Sequence, residues 1–515
     1  MLQSYIITNS ANLKQLENIV KKNSELDFDI FNIGTFEIAI EQQLNYPTQI
    51  VKYGSNKYIF TGDIYNKYDI YKMLENISNK SVSLLNNTEL FLEIFYIFGD
   101  KALYLVDGPF AFICYSQNSI KIYTNPIPNY PLYYIHHNDN CYITNEIKFL
   151  RGNNNINLEV KKFSAFQPNA GIPANFTIFR YINKIPSESV LTCLCNLSGY
   201  PISTRIDSYK NAFIEKKVNL TLKKSTAYLD YLLFTITSNY LASLSEEKPM
   251  KVSIALSGGI DSCLVSAYAR RIAPESQLYT ITFGTEQINE FYYSELCAQH
   301  IKAIHNNIII DDKMFFEGLI KTIYFNEIFD GVFAEVHATM GFVYEIAKKF
   351  SNIILTGFYA DNLFGGLIPL ETPQSRINPI LLDKSVRTKW TGEYNVFLAK
   401  HYGLRECSPF LNPTLSEWAM SLSSEFKIYN KEVKFILKSL AETQLLLNKK
   451  NIWRKKVRLE EGSASEKIFC QFLNLNLGEY YLKHKFTYNI FKLIFEKNIP
   501  YQEIDIYSIK KQLNH

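Results

Sequence analysis

Between the apolar run Val252-Ser-Ile-Ala-Leu256 and a segment with helical spacing lies Ser257-Gly258-Gly259-Ile260-Asp261-Ser262. Two adjacent glycines leave φ free and let the backbone approach a bound group closely. A helix opening behind them aims unpaired N–H groups and partial positive charge at that group. Ser257 and Ser262 add hydroxyl donors. A phosphate satisfies all of these groups. Asp261 is wrong by charge for direct phosphate contact, so its natural task is to hold a Mg²⁺ that neutralises bound pyrophosphate. The plainer alternative is a Gly-rich turn whose Asp and Ser cap the next helix. Gly-Lys-Ser/Thr is missing, so this is not a Walker loop.

The elements that must position this loop follow from periodicity. Up to about residue 205, short runs of β-branched and aromatic residues alternate with turn signals such as Tyr53-Gly-Ser-Asn56, Thr61-Gly-Asp63 and Val106-Asp-Gly-Pro109. Strands are expected over 57–60, 110–115, 120–124, 132–136 and 141–144, with a helix over 67–76. That pattern suits stacked antiparallel sheets. From about residue 226 the period changes, because Leu229, Leu232, Leu233, Ile236, Tyr240 and Leu241 share one helical face. Strands over 251–256, 277–283, 307–310 and 353–356 then alternate with helices, the signature of a parallel sheet flanked by helices. Residues 379–515 read as mostly helical, with amphipathic segments over 414–422 and 430–446.

Bulk properties bound the answer. A chain of 515 residues with 47 % hydrophobic and 20 % charged residues is globular and long enough for two to four domains. A net charge of +4 is too small for a nucleic-acid footprint. No apolar run of about 18 residues could span a bilayer. Eight cysteines without a CxxC pair or nearby histidines at zinc spacing suit a reducing compartment. The first 20 residues lack a charged region followed by an unbroken apolar one, so a cytoplasmic enzyme is expected.

The phosphate loop resembles that of ATP pyrophosphatases, which implies ATP as substrate and cleavage to AMP and pyrophosphate. A mid-chain loop after a β-rich half resembles the asparagine-synthetase superfamily. Within it the likeness is greatest to the β-lactam-forming branch, the carbapenam synthetases above all. It rests on Thr282-Phe-Gly-Thr-Glu286, Ile323-Tyr-Phe-Asn-Glu-Ile-Phe-Asp-Gly331, Leu355-Thr-Gly-Phe-Tyr-Ala-Asp-Asn-Leu-Phe-Gly-Gly366, Arg387-Thr-Lys-Trp-Thr-Gly-Glu393 and Trp453-Arg-Lys-Lys-Val-Arg-Leu-Glu-Glu-Gly-Ser463. The resemblance implies an α+β, Ntn-hydrolase-like αββα sandwich over 1–208 and an α/β ATP-pyrophosphatase domain over 209–515. Glutamine-hydrolysing members carry a nucleophilic cysteine directly after the initiator methionine; here Leu2 stands there, so no glutaminase activity is expected.

The same resemblance assigns residues. Asp261 and Asp361 would share Mg²⁺. Ser257, Gly258, Gly259, Ile260, Asp261, Ser262 and Gly357 would line the nucleotide's phosphates, and Phe283 and Met340 its adenosine. Lys456 would hold pyrophosphate and stabilise the oxyanion as the amide closes. Glu393 would orient a tyrosine that takes the amine's proton. This chain departs from the branch there, with Phe358 at the tyrosine position and Tyr359 next. Phenylalanine accepts no proton, so either Tyr359 reaches the site, or Glu393 acts through water, or the cyclising step differs. The expected partner is a small amino acid substrate, with neither nucleic acid nor membrane; monomer and homo-oligomer stay open. Competing readings are a lasso-peptide-type cyclase, an ammonia-fed asparagine synthetase, and a degenerate nucleotide-binding partner protein.

Overall fold

A computed structural model of the chain describes residues 3–9, 13–23, 27–42, 50–78, 85–137, 140–151, 158–161, 177–198, 200–209, 220–245, 249–388, 394 and 396–513. Among the described residues its first half contains twelve strands: β1 (Tyr5–Asn9), β2 (Phe28–Asn32), β3 (Phe36–Glu41), β4 (Val51–Tyr53), β5 (Asn56–Gly62), β6 (Phe110–Ser116), β7 (Ser119–Thr124), β8 (Leu132–His137), β9 (Asn140–Thr144), β10 (Asn183–Ile185), β11 (Ser189–Cys195) and β12 (Pro201–Ser208). They form two antiparallel sheets, β10-β8-β9-β1-β3-β2 and β12-β11-β7-β6-β5-β4.

The two-residue period of a strand explains the layering. Tyr5 and Ile7 of β1 and Phe36, Ile38 and Ile40 of β3 meet Ile59, Ile113, Ile120 and Ile122 of the other sheet in one core. The alternate residues Ile6 and Ala39 face outward onto Leu16, Ile19 and Val20 of helix Leu13–Asn23. On the far side, Phe60, Phe110 and Phe112 pack on Ile70, Leu74, Leu90 and Phe91 of helices Lys67–Ser78 and Asn87–Phe98. Both faces of each sheet are thus buried, giving the expected αββα order.

Helix Leu222–Leu244 opens the second half, capped by Thr221, whose hydroxyl accepts from Lys224 N. It buries the six residues whose spacing announced it, against helix Ile260–Ile272. Five strands then form an all-parallel sheet, β13 (Lys251–Ala255), β14 (Gln277–Gly284), β15 (Ile304–Ile309), β16 (Ile353–Leu355) and β17 (Arg405–Cys407), in the order β15-β14-β13-β16-β17. The chain winds outward through β14 and β15, then returns to the other side of β13. That reversal leaves a crevice at the carboxyl ends of β13 and β16, where ligands settle in open α/β sheets.

Three local expectations are corrected. The edge strand β15 starts at Ile304, three residues before the expected 307. Strand β17 lies inside a stretch expected to be helical. Residues 430–446 are not one helix: Ile428–Tyr429 and Glu432–Val433 pair as a hairpin, and the helix spans Phe435–Thr443. Asn430 and Lys431 both take positive φ, +47° and +63°, as a two-residue hairpin turn requires. No helix of the described residues is long and apolar enough to cross a membrane.

Candidate functional site

A cavity of about 500 Å³ occupies the crevice. Its floor comes from strand ends: Leu256 and Ser257 after β13, Thr282 and Phe283 in β14, and Thr356 to Tyr359 after β16. Val332, Phe333, Val336, His337 and Met340, from one side of helix Gly331–Ala347, make an apolar wall. The segment Lys456–Glu460 and Ser463 closes the opposite side.

The loop after β13 runs into helix Ile260–Ile272, whose cap residue Gly259 supplies no side-chain hydrogen bond, so the first-turn N–H groups keep their partial positive charge. Gly258 has φ +73°, and a Cβ there would lie 2.6 Å from Tyr293, so glycine is required both for conformation and for close packing. Ser257 and Ser262 hydroxyls lie 3.2 Å apart across the loop, and Ser257 N donates to Ser262 Oγ at 3.2 Å. Of the six loop residues, Ser257, Asp261 and Ser262 line the cavity; Gly258, Gly259 and Ile260 do not, and Ile260 is buried in the core behind.

Asp261 and Asp361 approach from opposite sides of the switch, and a lysine absent from the sequence reading joins them. Lys434, only 2 % exposed, pairs with Asp261 and lies 2.6 Å from Asp361 Oδ1. Lys456 Nζ lies 2.9 Å from Asp361 Oδ2. Burial works against the ionised form of Asp361, but the two lysines override it and hold that carboxyl well below the usual range. Burial pushes Asp261 upward against the pull of Lys434. Burial also opposes the charge of Lys434, yet the two carboxylates raise it above the ordinary lysine value. Lys434 was missed because it starts a helix in a left-handed conformation just after the hairpin; Asn430 between Ile428-Tyr429 and Glu432-Val433 was the available turn signal.

Lys456 reaches the site because its segment is clamped onto the serine–diglycine loop. Asn451 Nδ2 donates to Gly258 O at 3.2 Å and Tyr293 O at 2.8 Å. Arg454 donates to Ser257 O at 2.9 Å, pairs with Glu290, and stacks 4.2 Å over the Tyr293 ring. Of the basic cluster, Arg454 and Lys456 therefore point inward while Lys455 is exposed.

The residues expected to serve the acyl end divide. Tyr359 lines the cavity with φ +75°; its hydroxyl donates to Ser385 Oγ at 3.2 Å, and its ring meets Tyr394 edge-on at 5.1 Å. Phe358 lines the same end, 6.3 Å from Tyr394. Phe283, Met340 and Gly357 line the cavity as expected, and a Cβ at Gly357 would fall 2.8 Å from Ser262 N. Glu393 lies outside the described residues, as does Leu2.

The two carboxylates fit a shared Mg²⁺. Asp261 Oδ1 is buried without a hydrogen-bond partner, and Mg²⁺ is commonly held by one or two carboxylates plus phosphate oxygens and water. Among the described residues no group of three or more His, Cys, Asp or Glu could hold a metal alone.

Comparison with known proteins agrees with the two halves seen here. The asparagine synthase family model matches residues 247–405, and the glutamine amidotransferase domain model matches 36–196. An asparagine synthetase [glutamine-hydrolyzing] 1 of Bacillus subtilis is 25 % identical over 317 residues, covering 60 % of this chain and 47 % of the relative. A carboxyethyl-arginine beta-lactam-synthase of Streptomyces clavuligerus is 22 % identical over 427 residues, covering 81 % of this chain and 75 % of the relative. The chain thus spans about half the length of the Bacillus relative. Among solved structures, the glutamine phosphoribosylpyrophosphate amidotransferase of B. subtilis aligns with a TM-score of 0.30 and 10 % identity, over 60 % of this chain and 90 % of that one. The chain thus matches a glutamine amidotransferase domain in its first half and an asparagine synthase domain in its second, each on its own sheet architecture.

Proposed function

We propose that the chain is a Mg·ATP-dependent amide ligase that activates a carboxylate as its acyl-adenylate and closes a lactam with an amine of the same substrate. The observation that carries this reading is the arrangement of Asp261, Asp361, Lys434 and Lys456 around a serine–diglycine loop at the sheet's switch point. Two cations and a helix N-terminus suit a pyrophosphate tail. Phe283 of the floor and Met340 of the apolar wall suit an adenine.

In this reading Ser257, Ser262 and Gly357 would line the phosphates, with the first-turn N–H groups of the helix behind Gly259 facing them, and Asp261 and Asp361 would hold Mg²⁺. When bound, that ion would neutralise phosphate charge. A carboxylate oxygen attacks the α-phosphorus, and pyrophosphate leaves toward Lys434 and Lys456. The amine nitrogen then bonds the acyl carbon, AMP departs with the bonding pair, and the amine's proton passes to a base. Tyr359, with Glu393, is proposed for that task; Lys456 stabilises the oxyanion. Holding amine and adenylate together supplies about 7 to 11 kcal/mol of the barrier lowering.

The intramolecular amine is favoured over glutamine by the cysteines of the first half. Cys114, Cys141, Cys193 and Cys195 all sit in strands of the sandwich, where burial pushes the Cys114 thiol up to about 12. No activated thiolate results. Residues 1–208 are proposed as a support for a catalytic domain over 209–515. The Streptomyces relative's printed name supports the β-lactam form of the product.

ATP–pyrophosphate exchange with β-amino acids such as a carboxymethylproline, followed by mass analysis, tests this. Exchange that vanishes in Asp261→Asn and a product lighter than the acid by one water support it. ATP binding without exchange for any acid would instead favour a nucleotide-binding partner protein, and ammonia incorporation would favour an asparagine synthetase.

A further inference from the structure

Two cavities share one wall. The larger is the 500 Å³ site just described. The smaller, of about 50 Å³, opens where the antiparallel sandwich meets the parallel-sheet half; Tyr104, Ile127 and Glu188 line it from one side, and Ser385, Leu411 and Glu417 from the other. Among the described residues, Tyr359 is the one that lines both.

The Tyr359 side chain is held firmly there. Its hydroxyl donates to Ser385 Oγ on helix Gln374–Thr388, and its ring packs edge-on against Tyr394. Its backbone is left-handed at φ +75°, a conformation that bulky residues rarely adopt and that persists only where the surroundings impose it. Glycine would take that backbone without strain. The turn therefore does not need a tyrosine. The tyrosine side chain lies where the two cavities meet.

We propose that the Tyr359 ring is a partition closing the adenylate site toward the seam between the two halves, so that the nucleophile enters only as part of the acyl substrate. This rests on the acyl-adenylate reading above. The partition makes Tyr359 a specificity-determining residue: it excludes water and small free amines that would reach the site by way of the smaller cavity. Without the ring, a water oxygen would bond the acyl carbon, AMP would leave with the electron pair and a proton would pass to solvent, regenerating the acid. With hydroxylamine, nitrogen would bond the acyl carbon instead, giving a hydroxamate, AMP and a proton.

Tyr359→Gly and Tyr359→Phe in the full chain separate partition from proton transfer, because phenylalanine keeps the ring and loses the hydroxyl. With carboxymethylproline, ATP and hydroxylamine, Tyr359→Gly is expected to raise hydroxamate, and pyrophosphate released per lactam, by about tenfold. Tyr359→Phe is expected to slow lactam formation without raising hydroxamate. A second measurement needs no carboxylate: acrylamide quenching of bound trinitrophenyl-ATP should rise in Tyr359→Gly and stay at the wild-type value in Tyr359→Phe. Equal quenching in all three proteins, or leakage from Tyr359→Phe as large as from Tyr359→Gly, overturns the partition. Absent pyrophosphate exchange in the wild type, with the quenching difference present, would instead sink the ligase reading and leave the partition standing.

Discussion

Lys434 Nζ lies 2.6 Å from Asp361 Oδ1, in a side chain only 2 % exposed, while also pairing with Asp261. One buried cation thus bridges two carboxylates that come from opposite sides of the sheet's switch point, and Lys456 supplies the second positive charge. Without it, two like charges would face each other in a site poor in water, and one would have to take up a proton.

Replacing that cation removes both effects. Lys434→Met is expected to lower unfolding free energy by about 3–5 kcal/mol, because breaking a buried pair strands its partners. Pyrophosphate exchange should fall by about a hundredfold or more, since a positioned charge in such a site is worth that much. Denaturant unfolding and the exchange assay read the two separately; a variant more stable than wild type would show that the lysine does not hold the carboxylates.

Gly366 tests the same cluster without changing any charge. A Cβ there would fall inside the Asp361 carboxylate and against the Lys434 stem. Gly366→Ala should therefore displace both groups, costing about 1–3 kcal/mol of stability through overpacking. Exchange should drop far more than that loss explains, and full activity in a folded Gly366→Ala protein would contradict the geometry.

Glu406 makes stability depend on pH. Burial pushes its carboxyl from 4.5 up to about 7, opposed by hydrogen bonds from Tyr344, at 2.7 Å, and Thr356. A folded value above the unfolded one means that the native state binds the extra proton. Its contribution is complete below pH about 4.5 and is lost as pH rises through about 7, a change of roughly 3 kcal/mol. Glu406→Gln should flatten that decline and be the more stable protein at pH 8. Parallel melting curves of the two proteins from pH 5 to 8 would exclude the effect.

A second buried pair braces the cavity wall from behind. Lys483, fully buried, donates to Glu335 Oε2 at 2.8 Å, and Ser465 Oγ donates to Glu335 Oε1 at 3.1 Å. Glu335 stands on the helix whose other side lines the cavity, and Ser465 follows the segment that carries Lys456. Lys483→Met alone should cost about 3–5 kcal/mol, and adding Glu335→Met should restore much of it. A double-mutant cycle by urea unfolding measures this; additive losses would mean that the two residues do not interact.

How much could be read in advance differs between elements. The face of helix Leu222–Leu244 was legible because its period and its burial are the same six residues. The loop from Ser257 to Ser262 was legible because its chemistry is contiguous. Strand β17 was not: three residues, Arg405 to Cys407, carry no period, and pairing with β16 alone makes them a strand. Likewise, nothing in Arg454-Lys455-Lys456 says which side chains turn inward. Asn451 and Tyr293 decide that, through contacts that join distant parts of the chain.

The sequence by itself determined the two architectures and the serine–diglycine turn between strand and helix, because each is encoded by neighbouring residues through period, turn chemistry and backbone freedom. Only the tertiary structure decided that Lys434 joins Asp261 to Asp361, that Lys456 faces inward, and that Tyr359 lines two cavities. Those relations depend on how separate elements approach one another, and burial and charge at a point of approach belong to no single stretch of chain.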